Sequence, residues 1–256
     1  MQHIKLIWEN AEALSIAAAY YFVERSNKSI AENGRFTVAL SGGSTPKALY
    51  SLLATPKFSR NIDWKNVHLL WGDERFVPHT HEDSNYRMVK EALLDHVKLP
   101  RKNILAMPTK GNASDCAAQY EKAIADTLGK KMQIDLTLLG MGDDGHTASL
   151  FPGTDILNEK KKYIKEVWVE SKQTFRLSFT YRLIDNSKEA MFLVAGAAKA
   201  PVVKHIFSKN AASKFPVQEV NLKKAPPSGC WMKQQWASKV AYLWHADIQL
   251  ISWLPI

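Results

Sequence analysis

The chain has only two cysteines, Cys116 and Cys230, in 256 residues. They lie far apart and share no metal-like spacing with histidine, so neither a disulfide framework nor a zinc site is expected. A reducing, cytoplasmic setting fits that scarcity. Long apolar runs are also missing. Near the N-terminus the longest, Ala17 to Val23, lies between Glu12 and Glu24 with no basic leader before it, which argues against a signal peptide or a membrane span. A Gly-x-x-x-x-Gly-Lys-Ser/Thr loop is absent, as is a Gly-x-Gly-x-x-Gly fingerprint with its distal acid, so no nucleotide is implied. No Gly-x-Ser-x-Gly elbow surrounds Ser149, which disfavours covalent serine chemistry. Repeats and low-complexity linkers are absent too, and one domain over residues 1–256 is the economical expectation.

Thirty-four basic against twenty-five acidic residues give a net charge of +9. A nucleic-acid binder would gather these charges in a stripe with interleaved aromatics. Here the lysines come as scattered short clusters such as Lys160-Lys161-Lys162, which reads as a solvated surface whose field draws in anionic small molecules. Neither a nucleic-acid nor a membrane partner is expected. Oligomeric state is not set by the sequence.

Strand-like runs alternate with helix-like periodic segments. Ile4 to Trp8 precedes a helix near 10–25; Phe36 to Leu40 precedes a helix from Pro46 to Ala54; Val67 to Trp71 precedes a helix from Ser84 to Val97. A helix from Ser114 to Leu128 leads into Ile134 to Leu139. The second half holds Lys165 to Val169, Arg176 to Thr180, Ala190 to Val194, a helix from Lys199 and a late strand from Val240 to Trp244. This alternation predicts an α/β fold with a mostly parallel, Rossmann-like sheet flanked by helices on both faces and smaller additional strands in the second half. Segment 209–239 has no clear pattern.

In such sheets ligands sit beyond the carboxyl ends of strands, and four strand ends here are chemically unusual. After Leu40 come Ser41, Gly42, Gly43, Ser44 and Thr45, a glycine turn with hydroxyls opening a helix, suited to presenting free N–H groups to an anion. After Trp71 come Gly72, Asp73, Glu74 and Arg75. After Val194, Lys199 opens a helix, where a lysine opposes the dipole unless an anion or carboxylate compensates. After Leu139 comes Gly140-Met-Gly-Asp-Asp-Gly-His146, in which a carboxylate can orient the imidazole; Asp144 and, from the neighbouring strand end, Asp73 are both candidates.

Together these motifs resemble the 6-phosphogluconolactonases, of the family that also contains glucosamine-6-phosphate deaminases. The resemblance rests on Leu40-Ser-Gly-Gly-Ser-Thr-Pro-Lys47, Trp71-Gly-Asp-Glu-Arg-Phe-Val-Pro78, Asp83-Ser-Asn-Tyr86, Leu139 to Gly153 and Gly196-Ala-Ala-Lys-Ala200, in the family's order. It implies hydrolysis of a phosphorylated sugar δ-lactone without cofactor or metal. His146 would match the general base, with Asp144 orienting it; Ser41 to Thr45, Arg75 and Lys199 would surround the phosphate, and Arg176 would add an anion contact. The alternatives are an amino-sugar-phosphate deaminase or isomerase of the same fold, and a non-catalytic sugar-phosphate-binding module. Deaminases resembling this chain carry a glutamate where Phe151 stands and a Met-Asp-Glu-Tyr run where it reads Gly72-Asp-Glu-Arg75, so both positions favour the lactonase. One departure is His245, which falls where the lactonases often place an aspartate.

Overall fold

A computed structural model describes residues 4–208, 214–222 and 241–245. Strand β1 (Ile4–Trp8) leads to helix α1 (Ala11–Asn33), β2 (Phe36–Leu40), α2 (Ser44–Ala54), the single turn α3 (Pro56–Ser59), β3 (Val67–Trp71) and β4 (Asp73–Arg75). Then come α4 (Asn85–Val89), β5 (Ile104–Leu105), α5 (Ala113–Leu128), β6 (Leu136–Leu139), β7 (Ile164–Val169) and β8 (Thr174–Phe179). The turn α6 (Tyr181–Ile184), β9 (Glu189–Val194), α7 (Ala200–Ile206) and β10 (Ala241–His245) follow.

Seven strands form one sheet in the order β1-β10-β9-β6-β2-β3-β5. Pairings from β9 to β5 are all parallel, while β10 lies antiparallel between β1 and β9. The expected α/β architecture is therefore present. In β2 and β6 every residue is buried, because a parallel sheet covered by helices leaves no wet face and so selects near-continuous apolar runs, broken here by Thr37 and Thr137. The additional strands form a separate antiparallel sheet, β4-β8-β7. Among the described residues no helix is long and apolar enough to cross a membrane.

Several boundaries differ from the sequence reading. Helix α1 continues past residue 25 to Asn33 and stops at Gly34, whose φ of 74° favours glycine. Its apolar periodicity fades after Val23, yet it goes on burying Ser26 and Ser29, whose hydroxyls donate to the Val23 and Arg35 carbonyls. The helix expected over Ser84–Val97 is α4 followed by a π turn over Lys90–Leu94. Strands β4 and β5 were not anticipated; at three and two residues they are too short to show a period. The late strand is shifted by one residue, to 241–245, and the side chain of His245 lies outside the described residues, as do 209–213 and 223–240.

At the amino ends of the parallel strands, Asp135 accepts from the Thr37 backbone N–H (2.8 Å) and hydroxyl (2.7 Å) and pairs with Lys188 (2.6 Å), tying β2, β6 and β9 together. At the carboxyl ends two buried tyrosines take over. Pairing of β3 with β5 ends at Leu70 and Leu105, so the Trp71 N–H has no partner in β5. The Tyr120 hydroxyl accepts it at 2.8 Å and lies 3.0 Å from the Leu105 carbonyl. Likewise the Tyr50 hydroxyl accepts from Ser41 N–H (3.0 Å) and donates to its carbonyl (2.9 Å). Burial pushes both phenols well above their ordinary ionisation range, so they remain neutral.

Tyr120→Phe is expected to destabilise the fold by about 1–3 kcal/mol, the usual cost of orphaning a buried donor, with an unchanged denaturant slope in urea unfolding.

Candidate active site

The Ser41–Thr45 turn leaves β2 and opens α2. Gly43 is the N-cap residue, with a φ of 106° that favours glycine, and no side chain caps the helix, so the first N–H groups are left for another acceptor. Gly42 is required for a different reason. A Cβ there would fall 2.0 Å from Asn85 Oδ1, and Asn85 is fixed by donating from Nδ2 to the Asp73 carbonyl (2.9 Å). Asn85 was present in the sequence motif at 83–86 but was not singled out; only the packing on Gly42 marks it.

The Asp73-Glu-Arg75 stretch is a strand, so its side chains alternate between faces. Glu74 is fully buried and accepts from the N–H groups of Arg75 (2.8 Å), Asn85 (2.7 Å) and Tyr86 (2.7 Å) and from the Ser84 hydroxyl (3.2 Å). Burial raises its pKa, opposed by those hydrogen bonds. Asp73 and Arg75 line the cavity instead. In the antiparallel register Arg75 lies directly opposite Arg176, and Asp73 opposite Ser178. Like charges directly opposite are destabilising, and Arg176 is only 9% exposed. Burial pulls its guanidinium below the ordinary range, with Asp73 opposing and Arg75 reinforcing the shift. Among the described residues, the buried Nε atoms of both arginines have no hydrogen-bond partner, and neither does the Ser41 hydroxyl.

The 140–146 turn resolves which carboxylate serves the histidine. His146 Nδ1 is 2.5 Å from Asp144 Oδ1, and the same oxygen accepts the His146 backbone N–H (3.1 Å). Asp73 is engaged elsewhere, accepting from the Ser149 hydroxyl (2.7 Å) with Arg176 4.0 Å away. It is therefore not the partner of the imidazole. Burial raises the Asp144 pKa, but the hydrogen bonds and charge of His146 outweigh it, and the carboxyl is held below its usual range, ionised. Gly142 makes the pair possible: a Cβ there would sit 2.1 Å from His146 Nδ1 and 2.6 Å from Asp144 Oδ1.

Lys199 ends a short 3₁₀ turn before α7, and the compensating group is a carboxylate from the neighbouring loop, Asp143, at 2.6 Å. Loop spacing alone does not distinguish Asp143 as the partner of Lys199. Every candidate residue except Asp144 lines one cavity of about 240 Å3, and Asp144 touches it through His146. Among the described residues no group of three or more His, Cys, Asp or Glu side chains is arranged to hold a metal ion.

A cavity at the carboxyl ends of parallel strands, lined by Arg75, Arg176, Lys199 and an oriented imidazole, defines an α/β enzyme of the open-sheet type. The family model for "Glucosamine-6-phosphate isomerases/6-phosphogluconolactonase" matches residues 9–228, and the chain belongs to that family. It is 43% identical over 188 residues to a 6-phosphogluconolactonase of Nostoc sp., covering 71% of this chain and 75% of that protein. It is 35% identical to a 6-phosphogluconolactonase of Haemophilus influenzae, covering 73% and 80%. Among solved structures, the Trypanosoma cruzi 6-phosphogluconolactonase superposes with a TM-score of 0.74 at 29% identity, covering 83% of this chain and 88% of that one.

Gly142→Ala is expected to fold normally, since no positive φ is involved, but to push His146 off Asp144. About 1 Å of displacement costs on the order of 10²-fold in turnover. Circular dichroism and the imidazole resonances of His146 in NMR separate the two effects.

Proposed function

We propose that the chain hydrolyses 6-phospho-D-glucono-1,5-lactone to 6-phosphogluconate, in the oxidative pentose phosphate pathway, using water activated by His146. The observation that carries this reading is the cross-strand pair Arg75–Arg176, which lines the cavity that holds His146 and whose Nε atoms are buried without a hydrogen-bond partner among the described residues. Two opposed guanidiniums favour a bound anion, and arginine's donor fork suits phosphate oxygens. The Ser41–Thr45 turn and Lys199 complete the phosphate surroundings. A cytoplasmic setting belongs to the same reading, supported by the buried thiol of Cys116, which has no disulfide partner among the described residues.

Because Nδ1 is occupied by Asp144, Nε2 is the nitrogen left to meet water. In this mechanism water attacks the lactone carbonyl carbon as its proton passes to Nε2, and ionised Asp144 stabilises the imidazolium. The tetrahedral intermediate then breaks its bond to the ring oxygen, which takes the proton back from Nε2 and becomes the product hydroxyl. Binding of the remote phosphate aligns the carbonyl with His146, so the anion contacts contribute to rate as well as affinity.

In a coupled dehydrogenase assay with spontaneous hydrolysis subtracted, His146→Ala is expected to lower turnover by about 10²-fold or more. Near-normal activity in that folded variant removes His146 from the mechanism. Arg176→Ala is expected to lower kcat/KM by about 10- to 100-fold, the worth of a charged hydrogen bond, on the phosphorylated lactone and to change little on its unphosphorylated analogue. Equal losses on both substrates, or release of ammonia from an amino-sugar phosphate, would overturn the assignment.

A further inference from the structure

We propose that Phe151 is a positioning residue that sets the plane of the His146 imidazole. The proposal rests on the reading of His146 as the base. The Phe151 ring stacks on the imidazole with centroids 4.0 Å apart and planes inclined by 29°. The same ring carries the Arg176 guanidinium, whose carbon lies 5.5 Å from its centroid. Phe151 is itself 7% exposed, held in the core that runs beneath the site.

Among the described residues, Asp144 makes the only side-chain hydrogen bond to His146. One hydrogen bond fixes which nitrogen is engaged but leaves the imidazole free to swing about the Nδ1 contact. A flat face packed at stacking distance removes that freedom, so Asp144 selects the nitrogen and Phe151 selects the direction in which Nε2 points. The aromatic face is also electron-rich and attracts a cation more strongly than a neutral ring. Its interaction with His146 therefore strengthens as the imidazole takes the proton from water, an effect present in the transition state and weak in the ground state. Such an effect acts on kcat and leaves KM alone.

The test compares Phe151→Leu, which keeps an apolar filling without the flat face, with Phe151→Tyr, which restores the face. Phe151→Leu is expected to lower kcat by about 3- to 10-fold, the range of one aromatic pair, with KM within about twofold of wild type. Phe151→Tyr is expected to recover most of that loss. The His146 ring protons should move downfield in Phe151→Leu as the ring current of the stacked phenyl is lost. If the leucine variant does not fold, Phe151→Met, whose flexible chain fills the same space, takes its place with the same expectations. A folded leucine or methionine variant with wild-type kcat, a tyrosine variant as slow as these, or unmoved His146 resonances overturns the proposal. Full activity of His146→Ala would instead defeat the general-base reading, and the resonance measurement separates the two failures.

Discussion

The site depends on how the chain satisfies backbone groups where parallel strands run out of partners. A strand that ends inside a protein leaves N–H and C=O groups that water cannot reach, and each needs an acceptor or donor. Tyr50 and Tyr120 meet that need with phenolic hydroxyls that bond to Ser41 and to Trp71 and Leu105. The chain can then turn away at Ser41 and Gly72, at the same level of the sheet, because Leu40 and Trp71 are in register. With those two exits fixed, the glycine turn, the arginine pair and the imidazole loop converge on one space.

The polar groups around that space divide into those that are fully satisfied and those that are not. Glu74 and Tyr50 have several hydrogen-bonding partners and hold backbone in place. Ser41, Arg75 and Arg176 keep buried donors that have no partner among the described residues. Unsatisfied polar groups and opposed like charges cost folding free energy, and proteins concentrate such costs at functional positions. Asp143 and Asp144, adjacent in sequence, are both partnered, one by the cation Lys199 and the other by the imidazole.

Much of this was legible in the sequence, and the reasons are specific. Mostly apolar runs, interrupted by single polar residues at Thr37, His68 and Thr137, marked β2, β3 and β6, since a strand buried on both faces shows no regular polar alternation. Glycines, acids and a histidine immediately after such runs marked the cavity, because residues of those types are poorly suited to a core. What could not be read were distances across the fold. Nothing local separates Asp144 from Asp73 as the partner of His146, and the opposition of Arg75 and Arg176 exists only once β4 and β8 pair. Strand β4 itself was hidden by its length. In the sequence Asn85 is one member of the 83–86 motif and Phe151 the position that sets the lactonases apart from the deaminases; the structural part of the first is marked by the missing Cβ of Gly42, that of the second by the ring lying on the imidazole.

The sheet order bears on how the molecule is made. Strand β1 pairs with β10, which joins it to β9, and the register sets Ile4 beside His245. During synthesis the first strand therefore emerges long before the strand that receives it, while β2, β3 and β6 can already assemble on their neighbours. Until residues 241–245 leave the ribosome, β9 presents an unpaired edge next to the turn that carries Lys199. Completion of this part of the sheet, and protection of that edge from other nascent chains, waits on residues 241–245.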